Sequence, residues 1–307
     1  MKSIFIKDKN FIPFPDDICA AIGNFDGVHL GHQKLIQECK RVCKLKGYKS
    51  ALLTFYPHPS VFLKKMENYP LVTPLEIKTD IVSRLGLDYL IVVEFTEEVK
   101  NMTKEEFIAS LKFMNIKACV CGYDFTFARM AEGTISDLKQ EFEFYEVKKY
   151  VFDDVRVSTT YIRELLADGN VTEAMRLLGR PHTIRGKVKF GDQNGRIIGY
   201  PTANVDYKNA FLPKNGVYFV NVIINGVYYL GMCNLGHHPT FEFSNNIKME
   251  VNIFNFDEDI YDETIDVLFI KRIRDEQRYN SVEELKKQLR IDKSKCLEYA
   301  GDMNYTK

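Results

Sequence analysis

The run Ile22-Gly23-Asn24-Phe25-Asp26-Gly27-Val28-His29-Leu30-Gly31-His32 constrains the fold more than any other stretch of the chain. The apolar residues 18–22 before it read as a buried strand. After it, Leu35, Ile36 and Cys39 recur at helical spacing. A strand, a glycine-rich turn and a helix in that order present a helix N-terminus to an anion. There the backbone N–H groups and the helix dipole both favour negative charge. His29 and His32 flank Gly31, which has no Cβ to block a close ligand. Imidazole donates a hydrogen bond to a phosphate oxygen and, when protonated, adds a charge. The segment reads as a nucleotide-phosphate site. Two other readings stay open: packed histidines at a turn, and zinc ligands with Asp26 or His58 as the third donor. The zinc reading lacks a paired-cysteine framework. Neither GxGxxG nor GxxxxGK[ST] occurs, which argues against a nicotinamide cofactor and an ordinary P-loop kinase.

Length and charge narrow the class. A chain of 307 residues accommodates two domains of about 150 residues each. Forty-two basic and 42 acidic residues balance, so net charge implies neither a nucleic-acid nor a membrane partner. Seven cysteines, an odd number without a CxxC pair, suit a reducing compartment, and Cys119 and Cys121 read as buried thiols. Residues 1–10 lack the apolar core of a signal peptide, and no apolar run approaches about 18 residues. The expectation is a cytoplasmic protein with no membrane span.

The first half alternates strands with helices. Strands are expected at 51–55, 89–95, 118–122 and 145–152, and helices after His32 up to Gly47, at 74–85, and from a Thr103/Glu106 capping box to Met114. Such alternation predicts a parallel, doubly wound sheet with ligands at the carboxyl ends of its strands. Four polar corners occupy that edge: 23–32, 54–59, 122–127 and 158–163. Helices at 159–167 and 172–178 lead to Gly179-Arg180-Pro181, where a boundary is drawn between domains 1–180 and 181–307.

Beyond it the pattern becomes all-β. Strands are expected at 184–190, 216–224, 227–234, 248–256 and 264–273, with Asn-Gly turns at 194–195, 215–216 and 225–226. A helix at 281–290 opens on a Ser281/Glu284 capping box, so this half reads as a small antiparallel barrel with a C-terminal helix. The glycine-rich loop 191–204 is either a hairpin or a phosphate-wrapping loop in which Thr202 and Asn204 reach Mg²⁺. Glu250, on a strand with apolar alternate residues, either faces solvent or faces the barrel mouth as a general base toward an alcohol.

Taken together these residues resemble the bifunctional prokaryotic riboflavin kinase/FMN adenylyltransferase (FAD synthetase) family, over nearly the whole chain. In the first half the resemblance rests on residues 23–32, which look like the HxGH signature of a Rossmann-like nucleotidyltransferase, and on 54–59, 122–127 and 158–163. In the second it rests on Gly199-Tyr200-Pro201-Thr202-Ala203-Asn204, similar to a PTAN motif. Asn215-Gly216-Val217-Tyr218, Gly231 to Gly236 with Pro239-Thr240-Phe241, and Arg274-Asp275-Glu276 add to it.

The resemblance implies two Mg²⁺-dependent steps that use ATP as substrate. Glu250 would deprotonate riboflavin, with Gly191, Gly195, Arg196, Gly199, Thr202 and Asn204 on ATP and Mg²⁺, and Arg274 and Glu276 on the flavin. FMN would then become FAD, with His29 and His32 as catalytic groups. Gly23, Phe25, Asp26, Gly31, Ser158, Thr159 and Arg163 would contact ATP, and Thr54, His58 and Asp124 the flavin. The partners implied are riboflavin, FMN, FAD and ATP, with a homo-oligomer left open. The chain departs from the family pattern at Ala128 and Asp262, where glycine is usual, at Asn252 for histidine and at Thr159 for serine. Two alternatives remain: a riboflavin kinase with impaired adenylyl transfer, and a flavin-sensing regulator.

Overall fold

The computed structural model describes residues 1–63, 69–191, 194–237 and 247–302. The chain forms two compact units, Met1–Thr159 and Thr160–Lys307. The first is built on six strands: β1 (Lys2–Ile6), β2 (Ile18–Ile22), β3 (Lys49–Tyr56), β4 (Tyr89–Glu94), β5 (Ile116–Gly122) and β6 (Glu143–Val147). They lie in the order β1-β4-β3-β2-β5-β6, all parallel. Residues of β2 are buried throughout because both faces are covered. Ile18, Ala20 and Ile22 join one apolar cluster, and Cys19 and Ala21 the other. Helices cover both faces, among them α1 (Leu30–Lys46) and α2 (Leu75–Arg84) on the Cys19 side and α3 (Lys104–Phe113) on the Ile18 side.

Strand order reverses between β2 and β5: β3 and β4 follow on one side of β2, β5 and β6 on the other. A crevice opens at such a switch point, outside the carboxyl ends of the two strands. The residues there are Gly23 after β2 and Gly122 at the end of β5.

The expected end of α1 at Gly47 (φ +77°) and the Thr103/Glu106 capping box of α3 hold. His29 proves to be the N-cap of α1, and Pro74 is the N-cap of α2 rather than part of its first turn. Two local expectations change. β1 pairs with β4 as an edge strand that the charged N-terminal residues disguise. The strand expected over 145–152 is instead β6, ending at Val147, and a separate ladder of Val151–Phe152 with Val155–Arg156. Asp153 and Asp154, at φ +47° and +62°, make the turn that splits it.

The second unit starts with α4 (Thr159–Ala167, all but its first residue) and α5 (Val171–Leu178). A closed antiparallel barrel follows: β7 (His182–Lys189), β8 (Ala203–Tyr207), β9 (Gly216–Ile224), β10 (Val227–His237), β11 (Ile247–Ile253) and β12 (Thr264–Arg274). The order is β7-β8-β11-β10-β9-β12, and β12 closes on β7. Asn225 and Gly226, at φ +49° and +82°, form the hairpin turn between β9 and β10. β11 stops at Ile253 rather than 256, where Asn255 turns at φ +54°. The C-terminal helix α6 (Val282–Asp302) runs twelve residues past the expected end at 290. It covers Phe219, Met232, Phe254 and Ile270 on the barrel's outer face with Cys296 and Ala300. Among the described residues no helix is long and apolar enough to cross a membrane.

Candidate active sites

At the switch point of the first unit the turn after β2 is conformationally strained. Phe25, Gly27 and Val28 take φ of +50°, +95° and +40°. For a β-branched valine this costs about 1–3 kcal/mol, and it persists only because the surroundings fix it. Val28 is fully buried, and Gln33 Nε2 donates to its carbonyl at 3.0 Å. The result is a rigid entry into α1. His29 is the N-cap, and its Nδ1 accepts the His32 backbone N–H at 3.2 Å. With Nδ1 an acceptor, a neutral His29 carries its proton on Nε2, where it can be donated to an anion. The two imidazoles stack, with centroids 3.7 Å apart, and His32 meets Phe25 edge-on at 5.1 Å. A Cβ on Gly31 would stand 3.2 Å from the His29 ring, so only glycine leaves that ring its place.

The remaining predicted residues of this unit divide into two groups. Gly23 donates its N–H to the Leu53 carbonyl. Thr54 is completely buried, and its hydroxyl donates to the Asn24 carbonyl at 3.0 Å. Asp26 accepts the Thr73 N–H at 3.0 Å, and its carbonyl accepts the Thr159 hydroxyl at 2.7 Å. These contacts draw the segments at 23–32, 54–59 and 158–159 together. His58 stacks on Tyr69 at 5.0 Å and accepts the Ser60 N–H. Asp124 is exposed, 3.5 Å from Arg156. Arg163 falls in the second unit, its guanidinium 4.8 Å from the centre of the Phe211 ring.

Sequence reasoning missed Lys78, a buried lysine of α2 whose Nζ donates to the Asn24 carbonyl at 2.7 Å. Its signal was a lysine on the buried stripe of that helix, four residues before Val82.

In the barrel the site is made by register. Asn204 of β8 and Asn234 of β10 are the direct cross-strand partners of Glu250 on β11. Directly opposed residues share a face, with Cβ atoms about 5 Å apart. Met249, Val251 and Ile253 are buried along the same strand, so Glu250 stands on the outer face rather than in the barrel interior. Thr202 precedes β8, which begins at Ala203 after Pro201. The Asn252 side chain donates to the Pro201 carbonyl at 2.6 Å, which anchors that segment. A Cβ on Gly191 would collide with the Asn204 amide, and one on Gly195 would stand 3.2 Å from the Thr202 hydroxyl. The loop between β7 and β8 therefore lies against both polar groups, while its middle, Asn194–Ile197, forms a helical turn and Arg196 is exposed. Gly199 turns at φ +83°. Asp192, Gln193, Pro239, Thr240 and Phe241 lie outside the described residues.

Arg274 is committed to a buried ion pair. Its Nε and Nη2 reach the Asp292 carboxylate of α6 at 2.9 and 2.8 Å, and Asp292 has no solvent exposure. Gln288 donates to the same carboxylate at 2.9 Å. Glu276, two residues on, lies so close to Gly236 that a Cβ there would meet its carboxylate.

As for metals, Cys19, Cys39 and Cys43 hold their sulfurs within 4.8 Å of one another among the described residues. They are buried core thiols, and soft donors of this kind do not suit Mg²⁺.

A riboflavin kinase family model matches residues 178–300, and a FAD synthetase family model matches residues 12–162. A bifunctional riboflavin kinase/FMN adenylyltransferase of Bacillus subtilis (strain 168) is 38% identical over 292 residues, 92% of each chain. One from Escherichia coli (strain K12) is 33% identical over 301 residues, covering 95% of this chain and 96% of that one. Among solved structures, a crystal structure described as a macrolide-efflux protein from Streptococcus pneumoniae superposes with a TM-score of 0.86. It is 35% identical and covers 95% of this chain and 97% of its own.

Proposed function

The chain belongs to the bifunctional riboflavin kinase/FMN adenylyltransferase family, and we propose on that premise that residues 181–307 phosphorylate riboflavin and residues 1–180 adenylylate the product. The chain converts riboflavin to FMN and FMN to FAD, with ATP as the donor in both reactions. The observation that carries the kinase half is the register that sets Glu250 between Asn204 and Asn234.

In the kinase step the Glu250 carboxylate takes the proton of the terminal ribityl hydroxyl. That oxygen bonds to the γ-phosphorus of ATP and the bond to ADP breaks. The Asn204 and Asn234 amides on either side give the Glu250 carboxylate polar neighbours that aim it. Thr202 and Asn204 fit Mg²⁺: hydroxyl and amide oxygens are hard donors, and the glycines at 191 and 195 let the loop backbone pack against them. When bound, Mg²⁺ would offset phosphate charge there. Gly191, Gly195, Arg196 and Gly199 form the loop over the phosphates and exclude water. Held by Asp292, Arg274 fixes the segment that carries Glu276 to the flavin.

In the second step an FMN phosphate oxygen attacks the α-phosphorus of a second ATP and pyrophosphate leaves. His29 donates from Nε2 to the phosphates, and the N-terminus of α1 adds its amides and dipole. His32, stacked on His29, holds that ring and supplies a second donor. Gly23, Phe25, Asp26 and Gly31 shape the turn, and Ser158 and Thr159 contact ATP. Thr54, His58 and Asp124 line the flavin side. We place the protein in the cytoplasm, on its seven buried, unbridged cysteines.

Incubation with riboflavin, ATP and Mg²⁺, followed by chromatographic separation of flavins, tests the reading. FAD is the expected end product. FMN alone would reduce the chain to a kinase, and tight flavin binding without turnover would make it a regulator.

A further inference from the structure

Lys78 is 4% exposed, on the inward stripe of α2 with Ile77 and Val82. A buried ammonium is costly, and a methionine or leucine would fill the same space without desolvating a charge. Its contacts lie in one place. Nζ donates to the Asn24 carbonyl at 2.7 Å and to the Thr54 hydroxyl at 3.3 Å. The Thr54 hydroxyl donates to that same carbonyl at 3.0 Å. One main-chain oxygen thus receives a charged donor from α2 and a neutral one from β3. Asn24 opens the strained turn that ends at the His29 cap. The charged group facing Lys78 is Asp26 in that same turn, whose carboxylate accepts the Thr73 N–H.

We propose that Lys78 is a positioning residue for adenylyl transfer: its ammonium clamps the Asn24 carbonyl and so fixes the turn that presents His29 and His32 to the triphosphate. The inference rests on the assignment of adenylyl transfer to residues 1–180. Lys78 acts through the Asn24 carbonyl and the backbone that leads from it to His29.

Burial lowers the Lys78 pKa from 10.5 to about 8, against the attraction of Asp26. Below that pH the clamp is charged, and above it a neutral amine remains, which binds a carbonyl more weakly. Between about 8 and 10.5 the unfolded chain holds the proton that the folded one has lost. The contribution of Lys78 to stability therefore rises with pH across that window. Positioning and stability move in opposite directions, which separates a role in catalysis from a role in folding alone.

The test uses the full-length chain, with added FMN, ATP and Mg²⁺, from neutrality to about pH 9.5. FAD formation by the wild type should fall about 5- to 10-fold as pH rises through about 8, the difference between a charged and a neutral hydrogen bond. Riboflavin phosphorylation on the same samples should not show that limb, and urea unfolding should show no loss of stability there. Lys78→Met should lower the adenylyl transfer rate at neutral pH and abolish the limb. Lys78→Arg, charged at every pH tested, should recover part of the rate without restoring the limb. A folded Lys78→Met with wild-type rate and an unchanged limb would overturn the proposal. If that variant does not fold, the wild-type profile decides, and a flat profile through about 8 overturns it. A wild-type chain that makes no FAD from FMN would instead sink the assignment beneath it, and the inference with it.

Discussion

The two units build polar sites by opposite means. In the parallel sheet the functional groups sit beyond the strand ends, in a turn held at positive φ by contacts from Thr54, Lys78 and Thr73. In the barrel Glu250 sits within a strand, with its neighbours set by the hydrogen-bond ladder. A turn-built site can be tuned by side chains that never meet the ligand. A ladder-built site is stiff and moves only if a strand shifts register, which would turn every side chain to the other face.

The sharpest way to break this contrast is Glu250→Gln, which keeps the ladder but removes the base. FMN formation should fall about 10²- to 10⁴-fold while added FMN is still converted to FAD. Loss of both reactions would deny the separation of the sites. Asp292→Ala comes next. It strands the Arg274 guanidinium in a buried site and should destabilise the barrel unit by about 3–5 kcal/mol, read by urea unfolding. An effect within error would mean that the ion pair does not hold α6. His29→Ala should cost FAD formation about 10²- to 10³-fold with riboflavin phosphorylation unchanged. The smallest effect expected is from Ala128→Gly. Ala128 has φ +65° and ψ −177°, a region that suits glycine. Removing its Cβ should raise the melting midpoint of the first unit, by about 1 kcal/mol of stability. A loss instead would show that this loop is not strained.

Features written in adjacent residues were legible. The strand–turn–helix at 18–46, the Thr103 capping box and the Asn225-Gly226 hairpin each stand as the local chemistry says. The candidate residues His29, His32, Glu250 and Asn204 were also visible as types in a pattern. Their grouping was less so. That Glu250 faces Asn204 and Asn234 on the outer face depends on which strands pair and in what register, which is decided by packing across the whole barrel. The ion pair of Arg274 was not legible, because nothing near it in sequence announces Asp292, almost three turns along a later helix. β1 was hidden because an edge strand needs only one covered face and carries lysine freely.

Barrel closure through β7 and β12 has a consequence for biosynthesis. The parallel sheet owns all its strands once residue 147 has left the ribosome, whereas the barrel joins its first stave to its last and stays open until both exist. Nascent chains mature from the N-terminal side. A product halted before residue 264 would thus retain a finished parallel sheet beside an unclosed barrel.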